Sequence, residues 1–151
     1  MSSESTRPDN CQVDFYLLGS ASHKADSFAC KLAMMAWERK QKVFIIAASD
    51  ASGEQLDELL WKLPEGRFLP HAQTASPNSG NAPVNIGTLS GLNATDVVIN
   101  LCPQAVPQPE RFSRVLEIVP FADSDRQASR EKYSNYRSLG LKPQTHEIGT
   151  V

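Results

Sequence analysis

The chain has 151 residues, 40% of them hydrophobic and 21% charged, with a formal net charge of -2. That is enough to bury roughly two-thirds of the unfolded surface in one core, too apolar for wholesale disorder, and too acidic for broad non-specific coating of nucleic acid. No stretch approaches the ~20 consecutive apolar residues of a membrane helix, and the polar start lacks the apolar core of a secretory signal, so a cytoplasmic location is expected.

Residues 1–12 read as a loose polar extension, residues 13–142 as one α/β domain, and residues 143–151 as a tail or an added edge strand. Val13 to Leu18 (V-D-F-Y-L-L) is a predicted strand closed by Gly19 and Ser20. From about Ser22 to Lys40, Phe28, Leu32, Met35 and Ala36 recur at helical spacing, and Lys42 to Ala48 (K-V-F-I-I-A-A) follows as a strand apolar on both faces. Ser52 with Gln55 forms a capping-box pattern, which predicts a helix over 53–63 with Leu56, Leu59, Leu60 and Leu63 inward and Pro64 as its stop.

Phe68 and Leu69 form a predicted brief edge strand, and 72–83, dominated by Ser, Asn, Gly, Pro and Thr, a surface loop. Val84 to Ile86, Val97 to Leu101 and Val115 to Val119 are further strands, separated by Pro103, Pro107 and Pro109, where helix cannot persist. Asp123 is the expected N-cap of a last helix that runs to about Leu139, stopped by Gly140. Strands alternating with helices give a mostly parallel twisted sheet with helices on both faces.

A parallel α/β sheet directs attention to the first strand's turn, Gly19-Ser20-Ala21-Ser22-His23-Lys24. It carries neither G-x-G-x-x-G nor a Gly-Lys-Ser/Thr bend, so a small nucleotide-dependent enzyme using that edge is the alternative rather than the leading reading. Three separated cysteines, Cys11, Cys30 and Cys102, never in a C-x-x-C pair, indicate neither a disulfide framework nor zinc, and Cys30 reads as a small buried thiol. His23, His71 and His146 lack metal-ligand spacing and read as surface residues. The neighbouring carboxylates Asp57 and Glu58, and Asp123 and Asp125, read as solvated helix positions. No metal, cofactor or catalytic residue is expected.

Two constellations point outward. In the first, Trp61, Leu63, Pro64, Phe68, Leu69 and Pro70 place two aromatics across a short turn. Trp61 lies off the leucine stripe and reads equally as a partner anchor or as a cap on the core. In the second, Arg126, Arg130, Tyr133 and Arg137 are spaced 4, 3 and 4, within about 60° on a helix. Ala128, Tyr136 and Leu139 are expected on the opposite, sheet-facing side. Residues 111–142 hold seven Lys/Arg against four Asp/Glu, while 1–110 hold eight against twelve. Positive charge gathered in an acidic chain reads either as a solvated face or as a local anion site. A fork of guanidinium beside a ring suits a peptide carboxylate next to an aromatic side chain, whereas direct DNA binding has little charge to support it.

F-Y-L-L (15–18), A-W-E-R-K-Q-K-V (36–43), D-E-L-L-W-K-L-P (57–64), F-L-P-H (68–71), A-P-V (82–84), I-V-P-F-A-D (118–123) and R-E-K-Y-S-N-Y-R (130–137) occur in order. Over about residues 13–142 the chain resembles the chi subunit of bacterial DNA polymerase III holoenzyme. The resemblance implies a nucleotide-binding-like fold without a nucleotide site and an accessory subunit without an active site of its own. It also implies pairing with the psi subunit, which ties chi to the clamp loader, and binding of the acidic C-terminal tail of single-stranded DNA-binding protein, so that DNA contact is mainly indirect. By the same resemblance, tail binding falls to Val119, Arg126, Arg130, Tyr133 and Arg137. The psi contact, for which a repair helicase competes, falls to Trp61, Leu63, Pro64 and Phe68. Ser134 departs from the family, which often has a basic residue there.

Overall fold

The computed structural model describes residues 11–20, 24–62, 69–73, 82–93 and 95–148. The strands are β1 (Gln12–Leu18), β2 (Val43–Ile46), β3 (His71–Gln73), β4 (Val84–Gly87), β5 (Val97–Asn100), β6 (Arg114–Val119) and β7 (Gln144–Ile148). The helices are α1 (Ala25–Glu38), α2 (Asp50–Lys62) and α3 (Asp123–Ser138). One seven-stranded sheet runs β3-β4-β2-β5-β6-β1-β7, and all six of its pairings are parallel.

A parallel sheet has to be covered on both faces, and the sequence of β2, V-F-I-I, is buried at all four positions for that reason. Val43 and Ile45 join the layer formed with Leu32 and Ala33 of α1 and Leu56 and Leu60 of α2. Phe44 and Ile46 face the other layer, with Phe15, Val98, Val115 and, from α3, Tyr136. The proline-broken segment between β5 and β6 contributes Val106 and Phe112 to that second layer, beside Tyr136 of α3.

Several boundaries differ from the sequence reading. Helix α2 starts at Asp50, three residues early, because Ser49 Oγ accepts the Ser52 N–H at 3.1 Å and caps the first turn. Asp123 lies inside α3; the cap position is Ala122, whose side chain makes no cap bond. An edge strand forms at 71–73, where pairing with 84–86 fixes the register, and Leu69 is not part of it. Leu69 instead is fully buried in the core, and Phe68 lies outside the described residues. Cys11 is buried and β1 begins at Gln12, while 144–148 pair with β1 as the edge strand left open for the tail.

Both long helices on these faces end alike. Gln41 N–H and Leu141 N–H reach back to Ala36 and Tyr136 carbonyls at 3.1 Å, with a left-handed residue just before each. In α3 that residue is Gly140 (φ 91°); in α1 it is Lys40 (φ 63°), where a side chain is less easily accommodated.

Candidate partner-binding site

Helix α3 is strongly polar, and its buried residues are Ser129, Lys132 and Tyr136, spaced 3 and 4 apart. Tyr136 faces the sheet as expected, but Ala128 is only half-buried and Leu139 is 45% exposed. The helix is held by polar contacts rather than by the aliphatic stripe usual for a surface helix. The fully buried Glu117 of β6 is the hub: Lys132 Nζ donates to Oε1 at 2.9 Å, and Tyr136 OH and Asn100 Nδ2 donate to Oε2 at 2.6 and 2.9 Å. Lys132 also donates to the Cys102 carbonyl at 2.6 Å, and Tyr136 OH accepts the Val106 N–H at 2.8 Å. Burial and the adjacent carboxylate push the Tyr136 phenol far up, so it stays a donor.

These directional bonds fix the rotation of α3 about its axis and thereby point the opposite side at solvent. They also correct the charge count: Lys132 is neutralised by Glu117, and Arg114 by Asp14 at 2.7 Å, so the free cations of 111–142 are fewer than the sequence sum implies.

On that outer side the four predicted residues occupy different environments. Arg126 is half-buried; its Nε–H donates to the Phe121 carbonyl at 3.2 Å, its Nη2 to the Leu18 carbonyl at 3.1 Å, and its guanidinium carbon lies 5.4 Å from the Phe121 ring centre. With two of five N–H groups tied to the scaffold, the other three are presented in a fixed orientation. Arg130 is exposed and, among the described residues, its side chain is bonded only to Gln127, on its own helix, at 2.8 Å. Tyr133 packs on Phe15 with ring centres 5.5 Å apart. Arg137 is exposed in the last turn, where its charge opposes the negative end of the helix dipole.

Between α3 and the β1–β7 edge lies a recess of ≈ 370 Å³ with Arg126 and Arg130 at its mouth. Phe15, Leu17 and the Tyr133 ring supply its apolar surface, and Ser129, Ser134 and Thr145 line the rest. Arg137 and Val119 do not line it; Val119 is 3% exposed and sits in the core layer against which Tyr133 packs. An apolar recess beside two guanidiniums can hold a carboxylate and an adjoining hydrophobic group together. Phe15, Leu17 and Thr145 were missed by the sequence reading. Alternation along β1 could have flagged the first two, since Phe15 and Leu17 share a face, but only the sheet order brings β7 beside it.

The second predicted surface is described only in part. Trp61 is 64% exposed in the last turn of α2 and meets the His71 ring edge-on, centres 5.0 Å apart. Leu63, Pro64 and Phe68 lie outside the described residues. His71 is not the surface residue expected: its side chain is buried, Nδ1 lies 2.6 Å from the Leu69 carbonyl, and Nε2 is 3.3 Å from an Asp57 oxygen, because strand β3 draws it inward. His146 is part-exposed and bonded to Asp14 at 2.9 Å; His23 is outside the described residues.

Reactive groups are scarce among the described residues. Burial pushes the Cys30 thiol up to about 12 and the Cys11 thiol up to about 11, and raises Cys102 as well, so all three stay protonated at neutral pH. No group of three or more His, Cys, Asp or Glu side chains is placed to hold a metal, and no helix is long and apolar enough to cross a membrane. The ends of β5 and β6, where such folds usually bind ligands, are filled by the Asn100–Glu117–Lys132 network.

Residues 11–144 match the family model described as DNA polymerase III chi subunit, HolC. The chain is similar to the DNA polymerase III subunit chi of Pseudomonas aeruginosa, with 34% identity over 93% of this chain and 99% of that protein. It is 29% identical to the Escherichia coli protein of the same name over 87% of this chain and 94% of that one. In architecture it is similar to T4 UvsW (TM-score 0.62, 8% identity) and to a DEAD box protein from Methanococcus jannaschii (TM-score 0.56, 12% identity). Those likenesses cover 92% and 91% of this chain but 42% of each of the other two, and at such identity they concern the fold alone.

Proposed function

The chain belongs to the DNA polymerase III chi subunit family, and on that premise we propose that it is a non-catalytic adaptor of the clamp-loader complex, joining psi to protein-coated single-stranded DNA. The observation that carries this reading is the pairing of Arg126 and Arg130 with an apolar recess at one place on the surface. In the proposed mechanism the acidic C-terminal tail of single-stranded DNA-binding protein lies along α3. Its terminal carboxylate meets the guanidinium forks while its last apolar side chain enters between Tyr133 and Leu17. Arg137 extends the positive field for acidic residues further up the tail, and Val119 supports the recess from beneath. Trp61, with Leu63, Pro64 and Phe68, forms the psi surface, for which a repair helicase competes; the exposure of Trp61 supports that assignment.

Magnitudes limit the mechanism. Exposed ion pairs contribute ~0.2–1 kcal/mol each, so arginines alone fall well short of the ~8 kcal/mol of a micromolar complex; the buried apolar contact and the partly desolvated carboxylate supply the remainder. The test is titration of a labelled tail peptide at low and high salt. Arg130→Ala is expected to weaken binding, by a larger factor at low salt, and amidation of the peptide's terminus to weaken it further. Unchanged affinity for Arg130→Ala in both salts would remove the stripe from the mechanism.

A further inference from the structure

A second recess lies on the other face of the sheet, between α1 and strands β1, β5 and β6, and has a volume of ≈ 240 Å³. Its apolar surface comes from Leu32, Leu116 and Met35, the last 45% exposed at the rim, and Tyr16 adds a half-buried ring. Two guanidiniums complete it, Arg39 and Arg114, and no carboxylate lines it. Arg114 shares its charge with Asp14 through Nη2, yet its buried Nε–H has no partner. Arg39 is exposed, and among the described residues its side chain has no hydrogen-bond or ion-pair partner. Because Asp14 neutralises Arg114, the uncompensated positive charge at the mouth is that of Arg39.

Size selects the occupant. Pockets for cofactors and drug-sized ligands run to ~300–1,000 Å³; this one has room for a single side chain. Its residue types, Tyr, Met and Arg around an aliphatic floor, are those enriched where proteins meet. From these observations we infer that the recess is a second protein-docking point, taking one aliphatic side chain of a partner segment that carries a carboxylate beside it. The aliphatic group fills the floor between Leu32 and Leu116, and the carboxylate pairs with the exposed Arg39 at the rim. This surface is separate from the α3 stripe, so it does not depend on the tail-binding proposal.

Residue-resolved NMR titration of the full ¹⁵N-labelled chain with acetyl-Asp-Leu-Asp amide, against acetyl-Asn-Leu-Asn amide, reads the two faces independently. The acidic peptide is expected to give saturable shifts at the amides of Tyr16, Arg39 and Gln41. Arg39→Glu, at an exposed position, is expected to weaken them about tenfold or more, and Arg130→Ala to leave them unchanged. Shifts confined to α3, equal response to the two peptides, or full affinity in Arg39→Glu would overturn the inference.

Discussion

Replacing Lys132 with Met tests whether α3 is seated by the buried carboxylate of Glu117. Lys132 is 8% exposed, and its ammonium meets Glu117 Oε1 at 2.9 Å and the Cys102 carbonyl at 2.6 Å. Met conserves much of the volume, so the loss is mainly electrostatic: a fully buried carboxylate keeps Tyr136 and Asn100 as donors but loses its counter-ion. Breaking one side of such a pair costs about 3–5 kcal/mol, a large share of the ~5–15 kcal/mol that holds a domain folded. For a chain of this size that corresponds to a fall in Tm of roughly 6–20 °C. Urea unfolding followed by circular dichroism measures it. Glu117→Leu with Lys132→Met removes both charges, and the double variant should recover much of the loss, leaving a coupling of about 1–3 kcal/mol. A cost below about 1 kcal/mol for Lys132→Met alone would refute the reasoning, because the pair would then be solvated and α3 held by other contacts.

Other predictions concern separate parts of the fold. Burial by itself would raise the Asp14 carboxyl, but hydrogen bonds from Arg114 and His146, with the Arg114 charge, hold it below the ordinary value. A depressed carboxylate stabilises above its unfolded pKa and loses that contribution as pH falls through the folded one. Asp14→Asn should therefore cost stability at neutral pH, and the gap to the parent should close below about pH 4; a gap independent of pH would contradict the assignment. Cys11, Cys30 and Cys102 should resist a thiol reagent at pH 8 until urea unfolds the chain; labelling in the native state would show that burial does not protect them. Gly140→Ala should cost about 1 kcal/mol by strain alone, since an added Cβ meets nothing within 4 Å. Lys40→Gly, at the equivalent position of α1, should cost nothing or raise Tm; a clear loss would show that the lysine side chain contributes more than its backbone strain removes.

Much of the fold was legible because local chemistry and tertiary need coincide. V-F-I-I reads as a strand buried on both faces and is one, Gly140 stops α3, and the prolines between β5 and β6 exclude a long helix. Where several neighbours compete, local signals misled. Ser49 rather than Ser52 caps α2: both offer a hydroxyl, and it is Ser49 Oγ that accepts the Ser52 N–H. Leu69 and His71, read as an edge strand and a surface histidine, are buried because β4 sets the register of β3.

The sequence by itself determined the spacing of Arg126, Arg130, Tyr133 and Arg137, since helical periodicity is local and α3 is long enough to express it. It also determined the family, through motifs kept in order along most of the chain. Only the tertiary structure decided which way that stripe faces and what lies beside it. The rotation of α3 is set by Glu117, a residue six positions before the helix, and the recess needs β1 and β7 together although about 130 residues separate them in the chain. Periodicity encodes which side chains share a face; burial of a single carboxylate chooses the face that meets water.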